Sequence, residues 1–357
     1  SGEMLDTASF VVFYDRDYRR KPVWNLQPKD SPYSEKVYRH LRDVINRIAN
    51  HLLDIELTRR NAPTTATQLL CGRYRNKVVL WGTAALQKAM QALGKEHLVR
   101  DYYAKEKRAV LTACIVNCYP LETDKPEMLK GIEPSRLVEL AFFAPQWVEL
   151  VREHLKWKGF NEAYYYFVAH TKESDSEAKR AQIALYTDLA PEELADGAFD
   201  ARLFNEAFKL VGKQKFALFY DAAKYMGSSN YHSRARRFAD VTQGLIKETE
   251  LYEQIDKTRN KDALCALGLV PLPKSKVDTA LLKRYKRIQA FLKESKQFGA
   301  QRQTSEKRTA EIALINLARS AGYDDVIQLV WRMEGHLVAD NKAVLDGLEA
   351  DGYLIRI

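Results

Sequence analysis

The chain has 357 residues, 46% hydrophobic and 29% charged, a mixture that excludes an intrinsically disordered polymer and supplies apolar surface for a core. Its densest apolar run, LVELAFFAPQWVELV, is broken by Glu139 and Pro145 and is too short to span a bilayer. The net charge of +9 is uneven: residues 1–200 carry 29 basic and 28 acidic side chains, residues 201–357 carry 27 and 19, and residues 209–308 alone carry 22 and 10.

The chain opens on Ser1-Gly2 with no secretory pattern and no initiator methionine, which suggests a fragment cut from a longer protein. Near Ser9, SFVVFY is one of two strand candidates. Beyond it the pattern turns helical. In residues 36–58, Val37, Leu41, Val44, Ile48, Leu52 and Ile55 recur at steps of three and four, which predicts one buried stripe. NKVVLWGTAALQKAMQALG continues the helical pattern and stops at Gly94.

Asp200 is placed to N-cap a helix whose Leu203, Phe204, Ala207, Phe208 and Val211 share a face and which Gly212 closes. FALFYDAAKYMG follows, ending at Gly227. Then come Tyr231, Ala235, Phe238, Thr242 and Leu245, and after them Leu281, Tyr285, Ile288 and Leu292, stopped by Gly299. Residues 120–134, 171–180 and 268–276 combine proline, glycine and charge as loops do. The second strand candidate is the terminal YLIRI, an alternating end that suggests a β-containing region beyond it.

These stripes must bury on one another, so the expected fold is all-α: a multihelical array of antiparallel amphipathic helices, able to wind into a superhelix, with at most minor β at the termini. The expected divisions are an extended N-terminal segment at residues 1–35, a helical subdomain at 36–180, a basic helical subdomain at 181–340, and the start of a following region at 341–357. No fixed-period repeat is visible.

Four cysteines, Cys71, Cys114, Cys118 and Cys265, are no disulfide framework in so long a chain. Cys114 and Cys118 stand one helical turn apart, yet no second Cys/His pair completes a metal site. Buried, reduced thiols in a cytoplasm are the expectation. The seven histidines are scattered, with no HExxH, no G-x-S-x-G and no dinucleotide fingerprint, so no catalytic residue and no cofactor is assigned. His154 and His170 stand beside apolar faces, where a hydrogen-bonded core histidine is the ordinary outcome. Glu206 and Asp221 are candidates for buried carboxylates.

The basic segment supplies the binding candidates. In HSRARRFAD, Arg234, Arg236 and Arg237 are free to face phosphates, although Asp240 stands four residues from Arg236. Arg259 and Lys261 follow. Lys283 and Arg287, four apart on the outer side of their helix, repel each other unless an anion lies over them. In SKQFGAQRQTSEKRTAEIALINLARSAGYDD, a helix begins near residues 301–305, with Ala310, Ala313, Leu314, Leu317 and Ala321 facing inward. Arg302 and Lys307 would reinforce an anion at its start. Capping by Thr304 or Ser305, with Arg302 bonding a neighbouring helix, is the simpler reading.

The segments RLVELAFFAPQWVELVREHLKWKGFNEAYYYFVAH, FNEAFKLVGKQKFALFYDAAKYM, RNKDALCALGLVPLPK and FLKESKQFGAQRQTSEKRTAEIALINLARSAGYDDVIQLVWRMEG together resemble the MolR-like family of large bacterial proteins. The resemblance spans most of residues 40–336 and implies regions of unassigned chemistry, with no catalytic residues to transfer. The expected function is a helical scaffold or interaction module of a larger cytoplasmic bacterial protein. Its partner would be the remainder of its parent polypeptide or another protein, with no membrane involved. The second reading is nonspecific nucleic-acid binding through residues 209–308.

Overall fold

The computed structural model describes residues 35–60, 62–71, 78–100, 105–171, 177–226, 229–340, 348–350 and 353–355. SFVVFY, Gly227 and the side chains of Val37, Leu41 and Tyr231 lie outside the described residues. The architecture is all-α with minor β, and two compact units divide the chain: Ser1–Phe160 with Gln214–Met226, and Asn161–Lys213 with Gly227–Ile357. Among the described residues no helix is long and apolar enough to cross a membrane.

In the first unit, α1 (Glu35–Thr58) buries Ile45, Ala49, Leu52, Leu53 and Glu56. The stripe is turned by one position from the expected one, leaving Val44, Ile48 and Ile55 half-buried. Glu56 accounts for the turn, because a buried carboxylate has to meet donors: Arg59 Nε at 2.5 Å and the Thr67 hydroxyl at 2.5 Å, the latter from α2 (Thr65–Leu70). The apolar stretch before Gly82 is not helical as expected. Leu80–Trp81 forms β1, parallel to β2 (Cys118–Tyr119), with Leu80 opposite Cys118 and Trp81 opposite Tyr119. β-Branched and aromatic residues favour extension there, and the side chain of Asn46 both donates to Trp81 O and accepts from Trp81 N–H, serving as a neighbouring strand would.

Gly82, at φ 92°, turns the chain into α3 (Thr83–Leu93), whose first turn has no side-chain cap of its own. Asp124 supplies one from a distance, its Oδ2 accepting Thr83 N–H at 3.0 Å and Leu121 N–H at 2.9 Å. Gly94 ends α3 as expected. The nearly all-buried α4 (Lys107–Val116) and α5 (Pro134–Phe143) form the middle of this core, followed by α6 (Val148–Leu155). Trp147 Nε1 donates to Cys118 O at 2.7 Å, and His154 Nδ1 meets Pro126 O at 2.7 Å. All four cysteines are free and buried, and burial pushes each thiol upward, Cys265 to about 12.

In the second unit, α7 (Phe160–Thr171, from Asn161 on), α8 (Glu177–Ala184), α9 (Pro191–Asp196) and α10 (Ala201–Val211) are followed by α11 (Lys213–Met226), whose residues from Gln214 return to the first unit. There Phe219 of α11 meets the rings of Phe142, Trp157 and Phe160. Asp200 caps α10 as expected, accepting Leu203 N–H at 2.9 Å, and also accepts the Thr187 hydroxyl at 2.7 Å. Buried His170 donates from Nδ1 to Tyr166 O, while its Nε2 accepts Asp200 N–H at 3.1 Å. Glu206 and Asp221 are exposed, against expectation; among the described residues the buried carboxylates are Glu56, Glu139, Asp200 and Glu306.

The rest of the second unit comprises α12 (Ser229–Thr242), α13 (Glu248–Thr258), α14 (Lys261–Leu267), α15 (Val277–Glu294), α16 (Ala300–Ser320) and α17 (Val326–Asp340). Leu245 is 69% exposed rather than part of a stripe, because α12 ends at Thr242 and Gly244 turns the chain. Gly299 does not stop α15, which ends at Glu294; it is the extended N-cap of α16. α16 buries Glu306, Ala310, Ala313 and Leu317, and leaves Leu314 and Ala321 half-buried. At the C-terminal end, the expected strand in YLIRI is β4 (Tyr353–Ile355), antiparallel to β3 (Leu348–Ala350).

Candidate functional site

Three of the nine predicted basic residues meet in one cluster where α13, α15 and α16 converge. Arg259 ends α13 in the left-handed conformation at φ 50°, which carries its side chain away from its own helix. Its guanidinium donates to Glu306 on α16 at 2.7 Å, to Glu294 on α15 at 2.6 Å and to Phe291 O at 2.9 Å. It also stands 4.0 Å from the centre of the Phe291 ring. Arg287 donates to Asp256 at 2.9 Å and lies 3.5 Å from Glu294. Arg302 donates to Glu306 at 2.9 Å and stacks 3.6 Å over Phe298.

Glu306 is the hub and is 1% exposed. Burial alone would raise its carboxyl, but the Arg259 and Arg302 hydrogen bonds outweigh that and hold it at about 2. The same bond, foremost, raises Arg259. Two guanidinium groups on one desolvated carboxylate, each against an aromatic ring, make a rigid three-helix clasp.

The other predicted residues are dispersed. Lys261 Nζ donates to the Ser305 hydroxyl at 2.6 Å. Lys283 lies 3.7 Å from Glu248 and 4.6 Å over the Tyr252 ring. On α12, Arg234 donates to Ala195 O at 2.8 Å, Arg236 lies 3.7 Å from Asp240, and Arg237 donates to Gln254, with its guanidinium lowered by burial. Lys307 is exposed with no ion pair among the described residues. The expected like-charge strain between Lys283 and Arg287 is relieved from within, by Glu248 and by Asp256 with Glu294.

At the start of α16, neither Thr304 nor Ser305 caps the helix; the Thr304 hydroxyl donates to Ala300 O. Arg302 bonds within α16 rather than to a neighbouring helix, because Glu306 is one turn away on its own surface. Among the described residues, no group of three or more His, Cys, Asp or Glu side chains could hold a metal ion.

The acidic partners carried a legible signal. Glu306 stands four residues before Ala310 in the inward stripe and four after Arg302, so its burial and its pairing are both readable from spacing. Glu294 gives no such sign, since its nearest partner, Arg259, reaches it only through the fold.

No curated protein and no solved structure matches the chain. A family model does, over residues 9–333, and on that match the chain belongs to the family of unknown function DUF5724.

Proposed function

We propose that the chain is a helical scaffold that binds another polypeptide segment through the outer side of α17. One observation carries the reading. Ile327, Trp331 and Val338 are 53%, 74% and 56% exposed and share one side of this helix, while Leu329 and Met333 are buried on the other. An apolar stripe turned outward, with a large aromatic at its centre, is the form that helix-mediated contacts take. The partner is a protein segment, either from the same parent polypeptide or from a separate chain. Four free buried cysteines support a reducing cytoplasm as the setting, and the likeness to MolR-like bacterial proteins fits a module within a larger assembly.

Nonspecific nucleic-acid binding has less support. Arg236, Arg259, Lys283, Arg287 and Arg302 all have carboxylates of this chain beside them, and a matched cation releases few counterions from a phosphate backbone.

A photo-crosslinking residue at position 331, introduced in the native host, tests the scaffold reading against the same residue at Leu185, which is 81% exposed. One discrete polypeptide adduct from 331, absent from 185 and reproduced with purified components, supports it. No adduct from 331, or the same set from both positions, removes it.

A further inference from the structure

In the first unit, the Glu139 carboxylate is 1% exposed and holds three groups: it accepts Leu98 N–H at 2.8 Å, pairs with Arg136, and lies 3.3 Å from His97 Nδ1. The imidazole of His97 also stacks on Tyr225, with centroids 4.1 Å apart and planes 14° from parallel. Arg108 Nε donates to the His97 carbonyl at 2.6 Å, anchoring the backbone beneath the ring. The ring is thus fixed by a carboxylate at one nitrogen, by an aromatic face and by its main chain, yet its side chain is 45% exposed. Its Nε2 makes no hydrogen bond among the described residues.

That combination differs from an ordinary surface histidine. A carboxylate facing Nδ1 selects the tautomer that carries the proton there, which leaves the Nε2 lone pair directed outward. The same carboxylate stabilises positive charge that develops on the ring during attack. Two cations lie close by: Arg108, and Lys224, whose Nζ stands 5.8 Å from the centre of the same Tyr225 ring. Arg136 already pairs with Glu139 and Arg108 lies 3.8 Å from Glu96, so Lys224 is the cation left to attract an anionic electrophile.

We propose that His97 is a phosphoryl-acceptor histidine, oriented by Glu139, that takes a phosphoryl group on Nε2 from a small high-energy donor. With phosphoramidate as donor, the Nε2 lone pair attacks phosphorus, a P–N bond to the histidine forms, and the donor's own P–N bond breaks. Ammonia departs with the electron pair of the broken bond. The Nδ1 proton stays between the ring and Glu139, which balances the charge on the phosphorylated imidazole.

The test is phosphoramidate treatment of the intact folded chain, with phosphohistidine located by neutral-pH mass spectrometry. His97 is expected to be labelled at least about tenfold faster than exposed His51, and Glu139→Gln to reduce that advantage to about unity while His51 is unaffected. Labelling of His97 no faster than His51, or an undiminished advantage in a folded Glu139→Gln variant, overturns the proposal. Should Glu139→Gln fail to fold, the His97-to-His51 ratio in the unmodified chain decides alone.

Discussion

The Glu306 carboxylate on α16 is held by Arg259, the residue that ends α13, at 2.7 Å and with almost no access to solvent. The pair joins segments that the sequence sets 47 residues apart.

Removing one partner of such a pair leaves the other desolvated. Arg259→Met is expected to destabilise the second unit by about 3 kcal/mol, read from urea unfolding at neutral pH. The pH dependence has a definite sign. The folded carboxyl sits at about 2, below its ordinary 4.5, so its contribution is complete above about 4.5 and is lost as pH falls toward 2. In the Arg259→Met variant that acid-side loss should shrink, because the carboxyl is no longer held as far below 4.5, and an unchanged acid limb would contradict the clasp.

His170 acts in a different window. Burial, foremost, lowers it from 6.5 to about 4, so the unfolded chain takes up its proton first. Stability should therefore fall as pH drops from about 6.5 to 4, by about 3 kcal/mol from this group alone. His170→Gln should flatten that part of the thermal-stability profile, and proton NMR of the ring should show it still neutral at pH 5.5.

Gly268 tests packing rather than backbone strain. Its φ of −66° suits any residue, yet an added Cβ would stand 2.7 Å from both Ala313 O and Leu317 N of α16. Gly268→Ala is expected to cost about 1–3 kcal/mol, because backbone on both sides must move apart. Gly299→Ala, where a Cβ meets open space, should be close to neutral in the same thermal melts.

Asn316 is fully buried and fully engaged. Its Oδ1 accepts Phe199 N–H at 2.9 Å, and its Nδ2 donates to Cys265 O at 3.1 Å and Gly197 O at 3.3 Å. Asn316→Leu keeps the volume but strands three backbone groups, with an expected loss of about 3 kcal/mol in denaturant unfolding. A loss below about 1 kcal/mol would mean that these groups find other partners.

Local chemistry was legible where a residue's partner lies within one turn. The Asp200 cap, the Gly94 and Gly212 stops and the Arg236–Asp240 pair all follow from spacing alone. So does the all-α class, since repeated stripes at helical period have to bury on one another. What spacing could not supply was the direction of a stripe that a buried carboxylate turns toward donors on another helix, as Glu56 turned α1.

The tertiary structure alone decided which cations find partners on other helices and which apolar side chains remain outside. Arg259 reads as a free cation until α15 brings Glu294 to it, as does Arg287 until α13 brings Asp256, and nothing in VIQLVWRMEG marks Trp331 as the outward residue. The reason is physical: helical period depends on neighbours three or four residues away, whereas neutralisation and exposure depend on segments that approach only once the chain has folded.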